Sequence, residues 1–567
     1  MALKLGHMNS TGSNPLRVRT TSGWVEGILC SEQVGAHPAL VRSWRGIPFG
    51  APNHGANRFG APQPAPEWEG TLDCSEYGAA AVQPTYSLTE KLLGSEDCLN
   101  LDIVRPNTDE TLPVVVYFHG GSFIMGSSHM LMLRGLEFAA AMNAVYVSVN
   151  FRLGALGYID VTSLAGGAGE ATANRATAKP ATANPAMRDQ ILALEWVQEN
   201  IARFGGDPDS VTAMGESAGG GSVLTLMASP CAQGLFHRAI AQSPPVGTVH
   251  SRAQSAAWAK ALVRRLGLSP DATVADLREL DATDIVRAGQ STLWRSGALF
   301  NLNSCYAPTI DGEVLPEHPI AVFERGRQAD VPLMIGTNAD EASFGKFIYQ
   351  RRTHRMRAGL RMLTTTDEDN ARQVMEAYGP AITRSNFAQL IADAVFWAPA
   401  VRVAEAHAKK YPTWMYRFDF APKAMRVLGL GAMHSAELSA VFGTPHAARA
   451  AKLTNLGDTD ALHELSVRMQ AFWRLFIHHG TPESKAAPET AWPAYTAPER
   501  ATYVFSARDH VENDPKKRQR EAWATYDMEG WAAGRPQLFE DVDMVAGPSS
   551  SGVEATSSDT KRGESRK

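Results

Sequence analysis

The chain has 567 residues, 44% of them hydrophobic and 20% charged, with a formal net charge of −5. That balance suits a globular protein with a large core and excludes binding to nucleic acid or anionic membrane by net positive charge. Five cysteines (Cys30, Cys74, Cys98, Cys231, Cys305) are too few and too scattered for a disulfide scaffold and form no C-x-x-C pair suited to zinc or redox work.

In chain order, the opening residues MALKLGHMNSTGSNPLRVRT lack the apolar core and cleavage site of a signal peptide, so a cytoplasmic location is expected. Residues 1–15 read as a disordered lead and 16–536 as one folded body. LPVVVYF (Leu112–Phe118) and AVYVSVN (144–150) are β-branched apolar runs expected as strands covered on both faces. The longer run at 138–150 falls short of the ~20 residues a membrane span needs. LAGGAGEATANRATAKPATAN (164–184) has little to bury and is expected as a mobile surface loop.

QILALEWVQENIARF (190–204) carries Ile191, Leu194, Val197 and Ile201 at helical spacing. SVTAMG (210–215), VPLMIG (331–336) and TWMYRFDF (413–420) complete the expected strands. RRTHRMRAGLR (351–361) has no interleaved aromatic residues and is expected as a solvated basic helix. Residues 537–567 read as a disordered tail. Strand–helix alternation predicts an α/β fold, a large and mostly parallel central sheet flanked by helices, with its site at the C-terminal strand ends.

GESAG (Gly215–Gly219) follows the expected strand at 210–215 and precedes a helical stretch. In that context G-x-S-x-G forms a sharp turn that lifts the Ser217 oxygen above the sheet edge. A serine is a poor nucleophile without a base, a third group to orient that base, and donors for the oxyanion. Consecutive glycines in YFHGGSFIMG, directly after the strand Leu112–Phe118, suit such an oxyanion loop.

With these motifs assembled, the chain resembles the type-B carboxylesterase/lipase family, the cholinesterase-like branch of the α/β-hydrolases. The resemblance runs from about Val18 to Trp531. It rests on an ordered set: WRGIPFGAP, SEDCLNLDIVRP, YFHGGSF, NFRLGALGY, GESAGG, GLFHRAIAQS, PTIDGEVLP, GTNADEASF, GAMHSAELSAVFG and FWRLFIHHGTP. It implies an α/β-hydrolase fold and a serine esterase acting on small to medium esters, with no cofactor or metal. Ser217 would be the nucleophile, Glu341 the acid and His434 the base, in the Ser…Glu…His order of α/β-hydrolases. The oxyanion donors would be the backbone N–H groups of Gly121, Ser122 and Ala218. Asp340 competes for the acid role, but the motif places the glutamate at Glu341.

The resemblance also implies a buried Glu96–Arg152 ion pair and, since the segment upstream of Cys98 has no cysteine at the family's disulfide position, a free buried Cys98 thiol. Leu88 stands where cholinesterases place a choline-binding tryptophan, which argues against choline esters. Leu302 and Ser304 replace bulky aromatics, which implies a roomy acyl pocket. Pro244 and Pro185–Ala186 depart from the family's usual glycines. HELSV (463–467) lacks the second histidine of a zinc motif, and AFWRLFIHHG is expected as a packing helix. The partners expected are small-molecule esters, with no nucleic acid and no membrane span. The same triad serves lipases, amidases, carbamate hydrolases and lactonases, and a non-catalytic binding protein on this fold would have lost a triad member.

Overall fold

The computed structural model describes residues 14–528, apart from 35–36, 86–90, 167–179, 296–303, 349–350, 365, 380–381, 445–457 and 484–490. Its centre is one sheet of eleven strands: β1 (Ile28–Val34), β2 (His37–Pro48), β3 (Asn100–Pro106), β4 (Leu112–Phe118), β5 (Val145–Val149), β6 (Gly206–Glu216), β7 (Arg238–Gln242), β8 (Leu333–Asn338), β9 (Thr413–Phe418), β10 (Ala501–Phe505) and β11 (His510–Asn513). Across the sheet they run β1-β2-β3-β5-β4-β6-β7-β8-β9-β10-β11. The block from β5 to β10 is parallel, and the pairs β1–β2, β2–β3, β3–β5 and β10–β11 are antiparallel. The sheet is therefore mixed, with a parallel centre as expected. Because β4 sits between β5 and β6, successive crossovers leave it in opposite directions. A crevice at the C-terminal strand ends follows from that reversal.

Strand alternation divides the core into two layers. Val114, Val116 and Phe118 of β4, with Val145, Val147 and Val149 of β5, face one layer. Val115, Tyr117 and Tyr146 face the other. All are fully buried, and each such apolar side chain stabilises the fold by ~1.5–3 kcal/mol. The second layer is closed by α1 (Leu136–Met142) and an aromatic helix that supplies Phe472, Trp473 and Phe476. The apolar run at 138–150 is thus half helix and half strand inside the core.

On the first layer lie α2 (Pro185–Asn200) and α3 (Ala218–Ala228). Helix α2 starts five residues before the sequence pattern suggested, because Pro185 occupies its first turn, where a missing N–H costs nothing. The basic stretch forms α4 (Arg352–Thr364), in which Arg352 and Arg357 are exposed, as is Arg351 just before it. Arg355 is the exception: it is buried and donates to the Ile382 carbonyl at 3.1 Å. One helical stretch, Arg384–His407, has the length and apolar composition of a membrane span, but 78% of that window is buried in the protein, where it serves as a core helix.

The expected Glu96–Arg152 pair does not form. Glu96 takes both its hydrogen bonds from Arg58, at 2.6 and 2.7 Å. Arg152 is instead paired with fully buried Asp189, which accepts from its backbone N, Nε and Nη2 at 3.0, 2.9 and 2.7 Å. Asp189 lies in α2, so this pair ties the helix to the segment after β5. Cys98 is a free, buried thiol, as is Cys74. Of the segment 164–184, the described ends are anchored: Leu164 and Ala181 are buried, and Val274 N donates to Ala165 O at 3.1 Å. Residues 167–179 and 537–567 lie outside the described residues.

Candidate active site

Strand β6 ends at Glu216 and α3 begins at Ala218, leaving Ser217 alone in the turn with φ 56° and ψ −125°. A non-glycine residue in that region is strained by ~1–3 kcal/mol and must be held there by its surroundings. The holding bonds are Ser217 N to the Gln242 carbonyl, 2.9 Å, and Gly221 N to the Ser217 carbonyl, 2.8 Å. The need for small neighbours is steric. A Cβ on Gly219 would stand 1.9 Å from the Phe118 carbonyl oxygen, which belongs to the neighbouring strand β4. The turn can therefore press against β4 only where side chains are missing.

The Ser217 hydroxyl lies 2.8 Å from His434 Nε2, and His434 Nδ1 lies 2.6 Å from Glu341 Oε2. The other Glu341 oxygen accepts from Ser243 Oγ at 2.6 Å and from Asn338 N at 2.7 Å. Only 1% of the Glu341 side chain is exposed, whereas 37% of Asp340 is. Asp340 faces the other way, accepting from Ala432 N at 3.2 Å beside Lys346. The two adjacent carboxylates thus lie in different surroundings, Glu341 against the imidazole and Asp340 turned away from it.

A second carboxylate, Glu216, approaches the imidazole: its Oε1 is 3.4 Å from His434 Nε2 and accepts from Ser435 Oγ at 2.5 Å. Phe396, in a π-helical turn at Asp393–Trp397, packs on the imidazole with ring centres 4.6 Å apart. Burial by itself pulls His434 down, but the charges of Glu341 and Glu216, the hydrogen bond His434 donates to Glu341 and then the charge of Glu437 outweigh it and raise the imidazole to about 9. Burial likewise raises Glu216, against the opposing pull of His434 and Ser435.

The loop after β4 is held open toward Ser217. Ile124 N and Met125 N both donate to the Gly121 carbonyl, turning it inward. Gly121 adopts φ 119°, and a Cβ there would stand 1.9 Å from the Met125 carbonyl oxygen. Ser122 (φ 56°) and Phe123 (φ 62°) follow in the left-handed region. Among the described residues, the N–H groups of Gly121 and Ser122 donate to no protein acceptor. Ala218, the first residue of α3, presents an N–H with no intrahelical acceptor. The Gln83 side chain clamps the far end of the loop with two 2.8 Å bonds to Gly126. His119 stacks on Phe151 at 4.5 Å, and burial brings its imidazole down to about 4, so it is a neutral packing group.

A family model described as the carboxylesterase family matches residues 14–523. The chain belongs to the carboxylesterase family. Para-nitrobenzyl esterase of Bacillus subtilis is 34% identical over 491 residues, covering 85% of this chain and 94% of that protein. Phenmedipham hydrolase of Pseudarthrobacter oxydans is 30% identical over 473 residues, covering 81% and 90%. A solved PNB esterase shares the fold with a TM-score of 0.76 at 31% identity, covering 90% of this chain and all of that one. The protein is thus an ester-hydrolysing enzyme with an α/β-hydrolase fold.

In this carboxylesterase, motif reading missed Ser243, Asn338, Glu216, Ser435, Glu437 and Phe396. Five of the six sit inside or beside quoted motifs (AIAQS, GTNADE, GESAG, HSAEL), but no spacing rule says that their side chains turn toward His434. Near the nucleophile, Phe123 packs on Tyr158 at 4.5 Å and Pro245 lies against Gly221, forming an apolar wall. Pro244 is buried beside Ser243. The Ser304 hydroxyl is spent in a local turn with Tyr306. Leu88 and Leu302 lie outside the described residues.

Proposed function

We propose that this esterase cleaves small to medium esters through an acyl-enzyme formed on Ser217. His434 Nε2 takes the hydroxyl proton as Ser217 Oγ attacks the ester carbonyl. The backbone N–H groups of Gly121, Ser122 and Ala218 hold the resulting oxyanion. Collapse of the tetrahedral intermediate breaks the bond to the alcohol, which leaves with the proton from His434. Water then attacks the acyl group by the same steps and frees the acid and Ser217. Glu341 orients the imidazole and stabilises its cation. The observation that carries this reading is the continuous relay, 2.8 Å from Ser217 to His434 and 2.6 Å from His434 to Glu341.

Ser217→Ala should lower kcat on p-nitrophenyl acetate by ~10⁴–10⁶-fold while far-UV circular dichroism is retained. Undiminished turnover by the purified variant would remove the assignment. The relatives' name and the apolar wall of Phe123, Tyr158 and Pro245 favour aryl and benzyl esters such as para-nitrobenzyl esters. Profiling p-nitrophenyl esters of increasing chain length against emulsified triglyceride and anilides would separate esterase from lipase and amidase preference. The unpaired Cys74 and Cys98 thiols fit a reducing compartment, the cytoplasm.

A further inference from the structure

Between Glu341 and Asp367 the chain has no acidic residue and carries Lys346, Arg351, Arg352, Arg355, Arg357 and Arg361. With a net charge of −5 for the whole chain, this run is a local exception. Gly359, Met362 and Leu363 of α4 are buried, and a Cβ on Gly359 would stand 3.0 Å from the Met375 sulfur, so that side of the helix is pressed against the protein. Elsewhere on α4, Arg352, Thr353, Met356, Arg357, Leu360 and Arg361 line one open groove of about 640 Å³. Arginine heads therefore border a strip of apolar side chain.

An apolar patch stands beside this basic run. Phe344 and Phe347 lie in and before the helical turn Gly345–Ile348, and Val427 and Leu428 lie at the tip of the short helix Lys423–Val427, which buried Met425 anchors. These four side chains are 51 to 80% exposed. Lys346 Nζ joins the two tips by donating to the Gly429 carbonyl at 2.8 Å, and exposed Lys423 and Arg426 flank the second tip. Gly345 packs against Ala388, and Gly359 of α4 against Leu390, so the apolar turn and the basic helix ride on one support, the helix Arg384–Ala392. The patch also borders the active site: Phe344 is three residues beyond Glu341, and Asp340 accepts from Ala432 N in the loop that leads to His434. Grouped apolar side chains in water, rimmed by charge, mark an interaction face.

We infer that this face docks on an anionic lipid surface, with Phe347, Val427 and Leu428 entering the acyl boundary and Arg352, Arg357 and Arg361 meeting phosphate headgroups. The arginines gain from the negative surface potential, and the apolar tips gain by leaving water. A nucleic acid would match the arginines but leave the tips in water, and the arginine run 351–361 has no interleaved aromatic ring on which bases could stack. Because the tips flank the segments of Glu341 and His434, docking brings the site to esters dissolved in the lipid. The docking goes beyond the acyl-enzyme reading and adds no bond-making step to it.

The test is co-sedimentation of the full chain with vesicles of phosphatidylcholine alone and with vesicles in which part of it is replaced by phosphatidylglycerol. Wild type should partition at least about tenfold more strongly onto the anionic vesicles and come off as salt shortens the Debye length from about 10 Å to about 3 Å. Arg352→Glu with Arg357→Glu should weaken that binding by ~25-fold or more, about fivefold for each charge lost, and flatten its salt dependence. Val427→Ser with Leu428→Ser should weaken it about tenfold and leave the salt dependence in place. Thermal melting checks that both variants are folded, and if the double arginine variant is not, Arg357→Gln alone should lose about fivefold. Equal sedimentation with both kinds of vesicle, or full binding retained by the arginine variant, would overturn the inference, as would binding to a single-stranded oligonucleotide but not to vesicles. Ser217→Ala should sediment as wild type does, so a failure of docking and a failure of the triad are read separately.

Discussion

Removing the Ser243 hydroxyl probes how tightly the acid must be held. Ser243 Oγ donates to Glu341 Oε1 at 2.6 Å, and that oxygen keeps one other donor, Asn338 N at 2.7 Å. A hydrogen bond to a charged group contributes ~1.5–3 kcal/mol. If all of it acted on the transition state, the rate would fall by roughly 10–150-fold. Since the Asn338 donor remains, Ser243→Ala should lose about tenfold in kcat with KM changed less than about twofold. Ser243 also has φ 46°, a left-handed conformation that costs a non-glycine residue ~1–2 kcal/mol. Ser243→Gly removes the same hydroxyl but relieves that strain, so it should melt above Ser243→Ala while losing the same kcat. The assay is steady-state hydrolysis of p-nitrophenyl acetate alongside thermal melting of both variants. Wild-type kcat in Ser243→Gly would show that the bond to Glu341 has no part in catalysis and refute the reasoning.

Gly219→Ala should cost ~1–3 kcal/mol of stability and about 100-fold in kcat, because the added carbon meets the β4 backbone at Phe118, which cannot swing aside as a side chain could; melting and steady-state kinetics on one preparation check both. Asp189→Ala should cost ~3–5 kcal/mol in urea unfolding by leaving Arg152 buried without its carboxylate, and a loss under ~1 kcal/mol would show that Arg152 finds another partner.

The pattern of residues was enough to place the strands at 112–118 and, within 144–150, at 145–149, since β-branched apolar runs covered on both faces have few other folded homes. It also supplied Ser217, since the glycines flanking that serine are demanded by backbone carbonyls, that of Phe118 in β4 against both and that of Gly219 against Gly215. Glu341 and His434 came only with the family resemblance, because a lone glutamate or histidine carries no local signal of its role.

Partner choice was a different matter. Glu96 and Arg152 are oppositely charged, yet each is taken by another group, Arg58 and Asp189, and the approach of Asp189 depends on how α2 docks. In the same way, three glutamates converge near one imidazole although 221 positions separate Glu216 from Glu437. Local propensity and motif spacing are properties of the chain taken a few residues at a time. Charge state and hydrogen-bond partner in a buried site are set by atoms delivered from different strands, so only the packed sheet decides them.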